Sequence, residues 1–72
     1  MQSIAQLKAG KLTGIKRLQL SENLTEFPME ILTLADSLEI LDLSNNQLTT
    51  LPDEIKQLTH LKILFASNNC FK

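Results

Sequence analysis

Few side chains in this sequence are suited to catalysis, and none of them stands in a catalytic pattern. His60 is the one histidine, and it has no second histidine, nearby cysteine or carboxylate at ligand spacing, so we interpret it as a surface residue. Cys70 occupies a turn position with no base beside it, which favours a bystander thiol over a nucleophile. Asp42 lacks a second acid for general acid–base work and is interpreted as a solvated carboxylate or one that faces Arg17. The sequence therefore predicts no enzyme activity, no bound metal and no cofactor.

Two short motifs match functional patterns only formally. Gly10-Lys11-Leu12-Thr13 lacks the upstream glycine, the preceding strand and the GK[ST] order of a phosphate-binding loop. Asn23-Leu24-Thr25 has the spacing of a glycosylation acceptor, but no secretory signal accompanies it. Neither motif predicts a site.

Charge and composition also limit the classes of partner. The 72 residues carry 7 basic and 8 acidic side chains, a net charge of −1, which gives no field to attract nucleic acid or an anionic membrane. No apolar run approaches the roughly 20 residues that cross a bilayer, and the start of the chain has neither a basic leader nor a long apolar stretch. The single Cys70 favours a reducing compartment. These features predict a cytoplasmic protein that binds neither nucleic acid nor membrane.

The most informative pattern is a repeat with a fixed spacing. Leu38, Leu41, Leu43 and Asn46 recur 23 positions later as Leu61, Leu64, Ala66 and Asn69, and 23 positions earlier as Ile15, Leu18, Leu20 and Asn23. Such a period is typical of a solenoid, in which each unit buries its apolar face only against its neighbours. Function in such a protein lies on a surface, which favours binding over catalysis.

Each unit combines two periodicities. Apolar residues at every second position predict half-buried strands at residues 17–20, 39–43 and 62–66. Pro28 and Pro52, each followed by acidic residues, predict the first turn of a short helix with proline at its first position. From Asn23 to Pro28 is five positions and from Asn46 to Pro52 is six, so the repeats differ by one residue that the convex side absorbs. The predicted unit is a strand, a turn, a short helical segment and a return.

Residues 1–14 differ from these units. Ser3 and Gln6 have capping-box spacing and Gly10 is a natural stop, which predicts a short helix over Ile4–Ala9. We therefore predict residues 1–14 to be an N-terminal cap with a degenerate first unit, and residues 15–72 to form the repeats: about two full units and a truncated third strand.

Residues 38–61, LEILDLSNNQLTTLPDEIKQLTHL, resemble a leucine-rich repeat of the form LxxLxLxxNxLxxLPxxIxxLxxL. The flanking copies fit with one slip and one truncation, so the resemblance covers about residues 12–72. The 23-residue LPxxI variety is similar to that of intracellular repeat proteins, including bacterial ones, and to the repeats of bacterial proteins that carry a kinase-like domain. The resemblance implies an α/β fold: a right-handed coil with a parallel sheet on its concave face, short helices on its convex face, and protein partners. It also implies an internal amide ladder of Asn23, Asn46 and Asn69, in which Asn23 is the irregular member.

Period two places one set of side chains outward on the concave face of the sheet. We predict a protein-binding surface there, because large apolar residues on a solvated face often mark an interface. The alternative is that these side chains pack on one another or on a terminal segment. The predicted surface contains Arg17, Gln19, Ile40, Asp42, Ile63 and Phe65.

Two hypotheses for function follow. The first is a non-catalytic interaction module that binds a protein through the concave sheet or the open C-terminal edge. The second is an N-terminal targeting fragment of a larger repeat enzyme, such as a repeat-plus-kinase protein, although no kinase motif occurs here. The edge strand Lys62–Ala66 lacks a following repeat in this sequence, which predicts a homodimer formed by antiparallel pairing of two such edges.

Overall fold

The computed structural model describes residues 3–71 and contains one short α-helix, three short strands and two 3₁₀-helices. Their order along the chain is α1 (Ile4–Lys8), β1 (Arg17–Gln19), the first 3₁₀-helix (Met29–Leu34), β2 (Ile40–Asp42), the second 3₁₀-helix (Asp53–Gln57) and β3 (Ile63–Phe65). The predicted boundaries at residues 1–2 and 72 lie outside the described part. We refer to residues 15–37, 38–60 and 61–71 as the first, second and third repeats.

The strands form one parallel sheet in the order β1-β2-β3. Leu18 pairs with Leu41, and Leu41 pairs with Leu64, so the spacing of 23 residues in the sequence is the register of the sheet. Parallel strands need a crossover that returns the chain to the same end of the sheet. Each crossover here contains one 3₁₀-helix, which gives the predicted α/β class with a parallel sheet.

The helix α1 is defined by both of its ends. Ser3 Oγ accepts from the N–H of Gln6, and Gln6 Oε1 accepts from the N–H of Ser3, which completes the predicted capping box. The helix was predicted over Ile4–Ala9 and is observed over Ile4–Lys8 with Ala9 as its C-cap. Gly10 follows with φ of 74°, and the N–H of Lys11 donates to the carbonyl of Gln6 at 3.1 Å, which is the Schellman arrangement that ends a helix.

The α1 helix is also tied to the first repeat. Glu22 Oε2, in the turn after β1, accepts from the N–H of Ile4 at 2.6 Å, so a carboxylate satisfies one of the free amides of the helix start. Leu7 from α1 and Leu12 from the following turn are buried in the common core. The N-terminal segment therefore packs on the repeats.

The two proline residues differ in position from the prediction. Pro28 and Pro52 are the N-cap residues of the 3₁₀-helices and not their first helical residues, with extended ψ of 110° and 156°. Each proline carbonyl accepts the first bond of its helix, from the N–H of Ile31 at 3.0 Å and of Ile55 at 3.2 Å. Proline lacks an N–H to donate, and at this position no helical bond is lost.

The core lies behind the sheet, between the strands and the crossovers. Leu18, Leu20, Leu41 and Leu43 are fully buried, as are Ile31, Leu38 and Leu48. The third repeat differs: Leu64 was predicted to point inward with them, yet it is 38% exposed and Phe71 is 40% exposed. Within residues 3–71 no later repeat lies against this end, so the third apolar layer has only one neighbour.

None of the helices in residues 3–71 is long and apolar enough to cross a membrane.

Candidate functional site

The solvent-facing side of the sheet carries two rows of side chains. One row is Arg17, Ile40 and Ile63, and the other is Gln19, Asp42 and Phe65, each set by the strand register. Adjacent strands lie about 4.8 Å apart, so each member of a row is a direct neighbour of the next. The structure thus brings together all six residues of the predicted surface, which we call the sheet face.

The sheet face changes in chemistry from one edge to the other. On β1 it presents Arg17 and Gln19, which are polar, whereas on β3 it presents Ile63 and Phe65, which are 43% and 47% exposed. Ile40 on the central strand is half-buried and pairs with Ile63. The result is a polar edge at β1 and an apolar edge at β3.

Asp42 is engaged locally. Its Oδ1 accepts from the N–H of Ser44 at 3.0 Å, a short-range turn contact that orients the carboxylate. This bond accounts for the acid at the strand end without a second acidic partner.

Behind the strand ends, Asn46 links the first two repeats. Its Nδ2 donates to the carbonyls of Leu20 at 2.9 Å and Leu43 at 2.8 Å, and its Oδ1 accepts from the N–H groups of Glu22 at 3.0 Å and Leu24 at 3.1 Å. Asn46 is only 6% exposed. An amide offers both donors and acceptors, which lets one side chain satisfy turn groups of two repeats.

Asn69 repeats this pattern one unit later. Its Nδ2 donates to the carbonyls of Leu43 at 2.9 Å and Ala66 at 3.0 Å, and its Oδ1 accepts from the N–H of Leu48 at 3.0 Å. The carbonyl of Leu43 therefore accepts from both asparagines. These bonds form a two-rung ladder through the turns.

Asn23 lies at a different position from Asn46 and Asn69. Its φ of 56° matches those of Asn45 (64°) and Asn68 (56°), and its side chain is exposed. The reason is a turn shorter by one residue: Leu24 and Leu48, which are 24 positions apart, donate to the next ladder asparagine in the same way. The first repeat thus uses its one asparagine for the left-handed turn position, which asparagine tolerates better than most residues.

The turn residues Asn45 and Asn68 were missed by the sequence analysis. Asn68 Nδ2 donates to Asn45 Oδ1 at 2.8 Å, which forms an exposed second rung beside the buried ladder. The doublets Asn45-Asn46 and Asn68-Asn69 contained the signal, because a left-handed turn residue followed by a buried amide needs two consecutive asparagines.

The residues considered for chemistry remain apart from any constellation. His60 and Cys70 are both exposed, and residues 3–71 contain no group of three or more histidine, cysteine or acidic side chains that could hold a metal ion. Two grooves of about 460 and 440 Å³ adjoin the segment Thr25–Phe27, away from the sheet face. Their charged side chains include Lys8, Glu26 and Glu30, which do not compose a catalytic set.

Comparison with known proteins gives matches to the repeated part of the chain. Probable serine/threonine-protein kinase qkgA of Dictyostelium discoideum is 48% identical over 40 residues, which is 56% of this chain and 3% of that protein. From the same organism, probable serine/threonine-protein kinase roco5 is 44% identical over 50 residues (68% of this chain, 2% of that protein). Probable serine/threonine-protein kinase roco11 is 52% identical over 42 residues (58% and 3%). This chain thus spans only a few per cent of the length of these relatives, and no solved structure matches it significantly.

The family model for leucine-rich repeats in two copies matches residues 36–72, slightly more than half of the chain. The match spans β2, β3 and the ladder residues Asn46 and Asn69, whose spacing and hydrogen bonds agree with a repeating unit. The chain belongs to the leucine-rich repeat family.

Proposed function

We propose that this chain is a non-catalytic interaction module that binds a protein through the sheet face. Leucine-rich repeats generally bind protein partners, which supports binding as the class of function. The observation that carries the choice of surface is the apolar side of the sheet face, where Ile40 pairs with Ile63 beside the exposed Phe65.

Ile63 and Phe65 are the reason to place the partner there. Strands that face water on one side normally alternate apolar and polar side chains, whereas β3 has apolar residues on both of its sides. Covering such residues removes apolar surface from water and favours association. The partner that fits is a protein segment with apolar side chains over Ile40, Ile63 and Phe65 and polar groups towards Arg17 and Gln19.

The finer architecture belongs to the same proposal. The module is a short solenoid with the sheet on its concave face and the 3₁₀-helices on its convex face; residues 1–14 are its N-terminal cap and residues 15–72 its repeats. The register of 23 residues and the Glu22 contact with α1 support it. Asn23, Asn46 and Asn69 have a structural role in this proposal, Asn23 at the outer turn position and the other two in the ladder.

The environment of the module is part of the proposal too. A cytoplasmic location is supported by the lone Cys70, and partners other than nucleic acid or membrane by the net charge of −1. The resemblance to bacterial repeat proteins stays a prediction.

The open edge at Lys62–Ala66 is the second surface that the module offers, to another protein or to another copy of the chain. The alternative function is a targeting segment of a larger repeat enzyme. The matches to proteins named as probable kinases are compatible with that alternative but do not favour it, because they cover only the repeat stretch. An open reading frame that continues into a kinase domain would establish the alternative.

The experiment compares three proteins in affinity capture with chemical cross-linking: the wild type, the double variant Ile40→Ser/Phe65→Ser, and the control Met29→Ser. Met29 is 45% exposed and lies off the sheet face, so its replacement removes a similar exposed apolar side chain elsewhere. We expect the wild type and the control to recover the same protein and the double variant to lose it, with circular dichroism unchanged in all three. Equal recovery by all three would place the binding surface elsewhere, and unfolding of the double variant would assign Ile40 and Phe65 to a core.

A further inference from the structure

Exposed large apolar side chains are concentrated at one end of the described molecule. Met29 lies elsewhere, whereas the other four belong to the third repeat: Ile63, Leu64, Phe65 and Phe71. We propose that this end is the contact between two copies of the chain, which join their β3 strands antiparallel about a two-fold axis at Leu64. The inference rests on the part of the proposed function that assigns binding to the open edge, and it is independent of the sheet-face partner.

The backbone of β3 is directed for such a contact. The N–H of Ile63 donates to the carbonyl of Glu39, and the carbonyl of Phe65 accepts from the N–H of Leu43, so residues 63 and 65 turn their polar groups towards β2. Successive residues of a strand direct these groups to opposite sides. The N–H and C=O of Leu64 therefore point to the open edge, and in an antiparallel pair the two copies of Leu64 can exchange both hydrogen bonds.

This register is also acceptable for the side chains. With Leu64 opposite its own copy, Ile63 lies opposite Phe65 and Lys62 lies opposite Ala66 of the other copy. Aromatic and β-branched residues are a favourable cross-strand pair, and the two lysines avoid each other. The two sheet faces become one six-stranded surface with its apolar part at the centre.

The same axis covers the exposed core layer. Leu64 and Phe71 lie behind the sheet at this end, next to the half-buried Leu61, and joining the two edges brings these layers together. A standard interface buries about 800 Å² per partner, roughly a sixth of the 4614 Å² surface of the described chain. Three residues of strand do not supply that area, so the layer around Phe71 has to take part.

The opposite edge of the sheet is less suited to pairing. Leu18 and Leu20 behind β1 are fully buried, and Leu7 and Leu12 from the N-terminal segment lie in the same core. The face of β1 carries Arg17 and Gln19, and charged side chains are a common protection of edge strands. One apolar end and one polar end favour a closed pair over a fibre.

A cysteine cross-linking experiment tests the register directly. In a Cys70→Ser background, single cysteines are placed at positions 63, 64 or 65, with Met29→Cys as the control, and mild oxidation is followed by non-reducing electrophoresis. We expect Leu64→Cys to form a covalent dimer alone. Ile63→Cys and Phe65→Cys should form one only when mixed, because each lies beyond disulfide reach of its own copy. The control should stay monomeric.

Other arrangements give other patterns. A parallel edge would cross-link Ile63→Cys with itself, contact through the sheet faces would leave Leu64→Cys unlinked, and cross-linking of Met29→Cys to the same extent would indicate random collision. Each of these outcomes overturns the proposal.

The unmodified protein provides a test that no substitution can disturb. We expect sedimentation to show a mass rising from 8.1 kDa towards twice that value with concentration, and the amide of Leu64 to exchange more slowly in the dimer. A monomer at millimolar concentration with a rapidly exchanging Leu64 amide overturns the proposal. Because this readout uses neither Ile40 nor a partner, it can fail while the sheet-face function stands.

Discussion

The second and third repeats place the same residues at the same positions, yet bury them differently. Leu41 and Leu64 pair directly in the sheet, but Leu41 is fully buried and Leu64 is 38% exposed. Leu41 has a strand on each side, whereas Leu64 has β2 on one side only. Burial in this molecule therefore depends on the neighbouring repeats more than on the type of residue, as expected when each unit packs only against the adjacent ones.

The ladder asparagines show the same contrast. Asn46 is 6% exposed and its bonds to Leu20 and Leu43 are buried, whereas Asn69 is half-buried and its equivalent bonds to Leu43 and Ala66 are only partly shielded from solvent. A lost hydrogen bond costs most where water cannot replace it. The two asparagines should thus differ in their contribution to stability although their geometry is alike.

The largest difference is expected for the paired leucines. Leu41→Ala should lower the free energy of unfolding by about 2–5 kcal/mol, because it leaves a cavity in a closed core; this approaches the whole stability of a domain of this size. Leu64→Ala should cost clearly less, because its position is already partly solvated. Urea denaturation at low protein concentration measures both, and equal losses would contradict the dependence on neighbours.

A smaller difference is expected for the ladder. Asn46→Ala leaves the N–H groups of Glu22 and Leu24 without their acceptor and the carbonyl of Leu20 without its donor, at about 1–3 kcal/mol for each group that stays buried. Asn69→Ala should cost less, since water can reach its partners. Thermal melting of the two variants checks this order, and a wild-type melting temperature for Asn46→Ala would show that the ladder does not stabilise the fold.

The turn positions should show no difference between the repeats. Asn45 and Asn68 have φ of 64° and 56° and both are exposed, so alanine at either should be about 1 kcal/mol less stable than glycine at the same place, because of the left-handed backbone. Comparing alanine with glycine removes the lost Asn45–Asn68 bond from the difference. Unequal effects at the two turns would mean that the backbone strain also depends on the neighbouring repeat.

The smallest effect is expected at the ion pair that joins the two repeats. Lys62 Nζ lies 3.8 Å from Glu39 Oε1, with the two side chains 73% and 35% exposed. Solvent screening limits such pairs, so Lys62→Ala should change the free energy of unfolding by less than about 0.5 kcal/mol, and less still at high salt. Denaturation at two salt concentrations tests this, and a larger, salt-sensitive loss would make the second and third repeats electrostatically coupled.

Much of the fold could be predicted because it depends on spacing. Leu18, Leu41 and Leu64 at intervals of 23 imply the parallel register, and Ser3 with Gln6 and Gly10 implies a short helix with defined ends. The sheet-face residues follow from the same alternation, although the role proposed for them still requires the binding experiment. The start of the 3₁₀-helices could not be predicted as reliably, since Pro28 is compatible with both the N-cap and the first helical position.

The sequence alone determined the repeat, the alternation along each strand and the family, since these depend on the order of residue types along the chain. Only the tertiary structure decided that Asn23 takes the outer turn position, because the path of a turn with one residue fewer is set by the repeat packed against it. The structure also decided which leucines are sealed from water. Leu41 and Leu64 are identical in type and register, and what separates them is whether a neighbouring repeat excludes solvent from both sides.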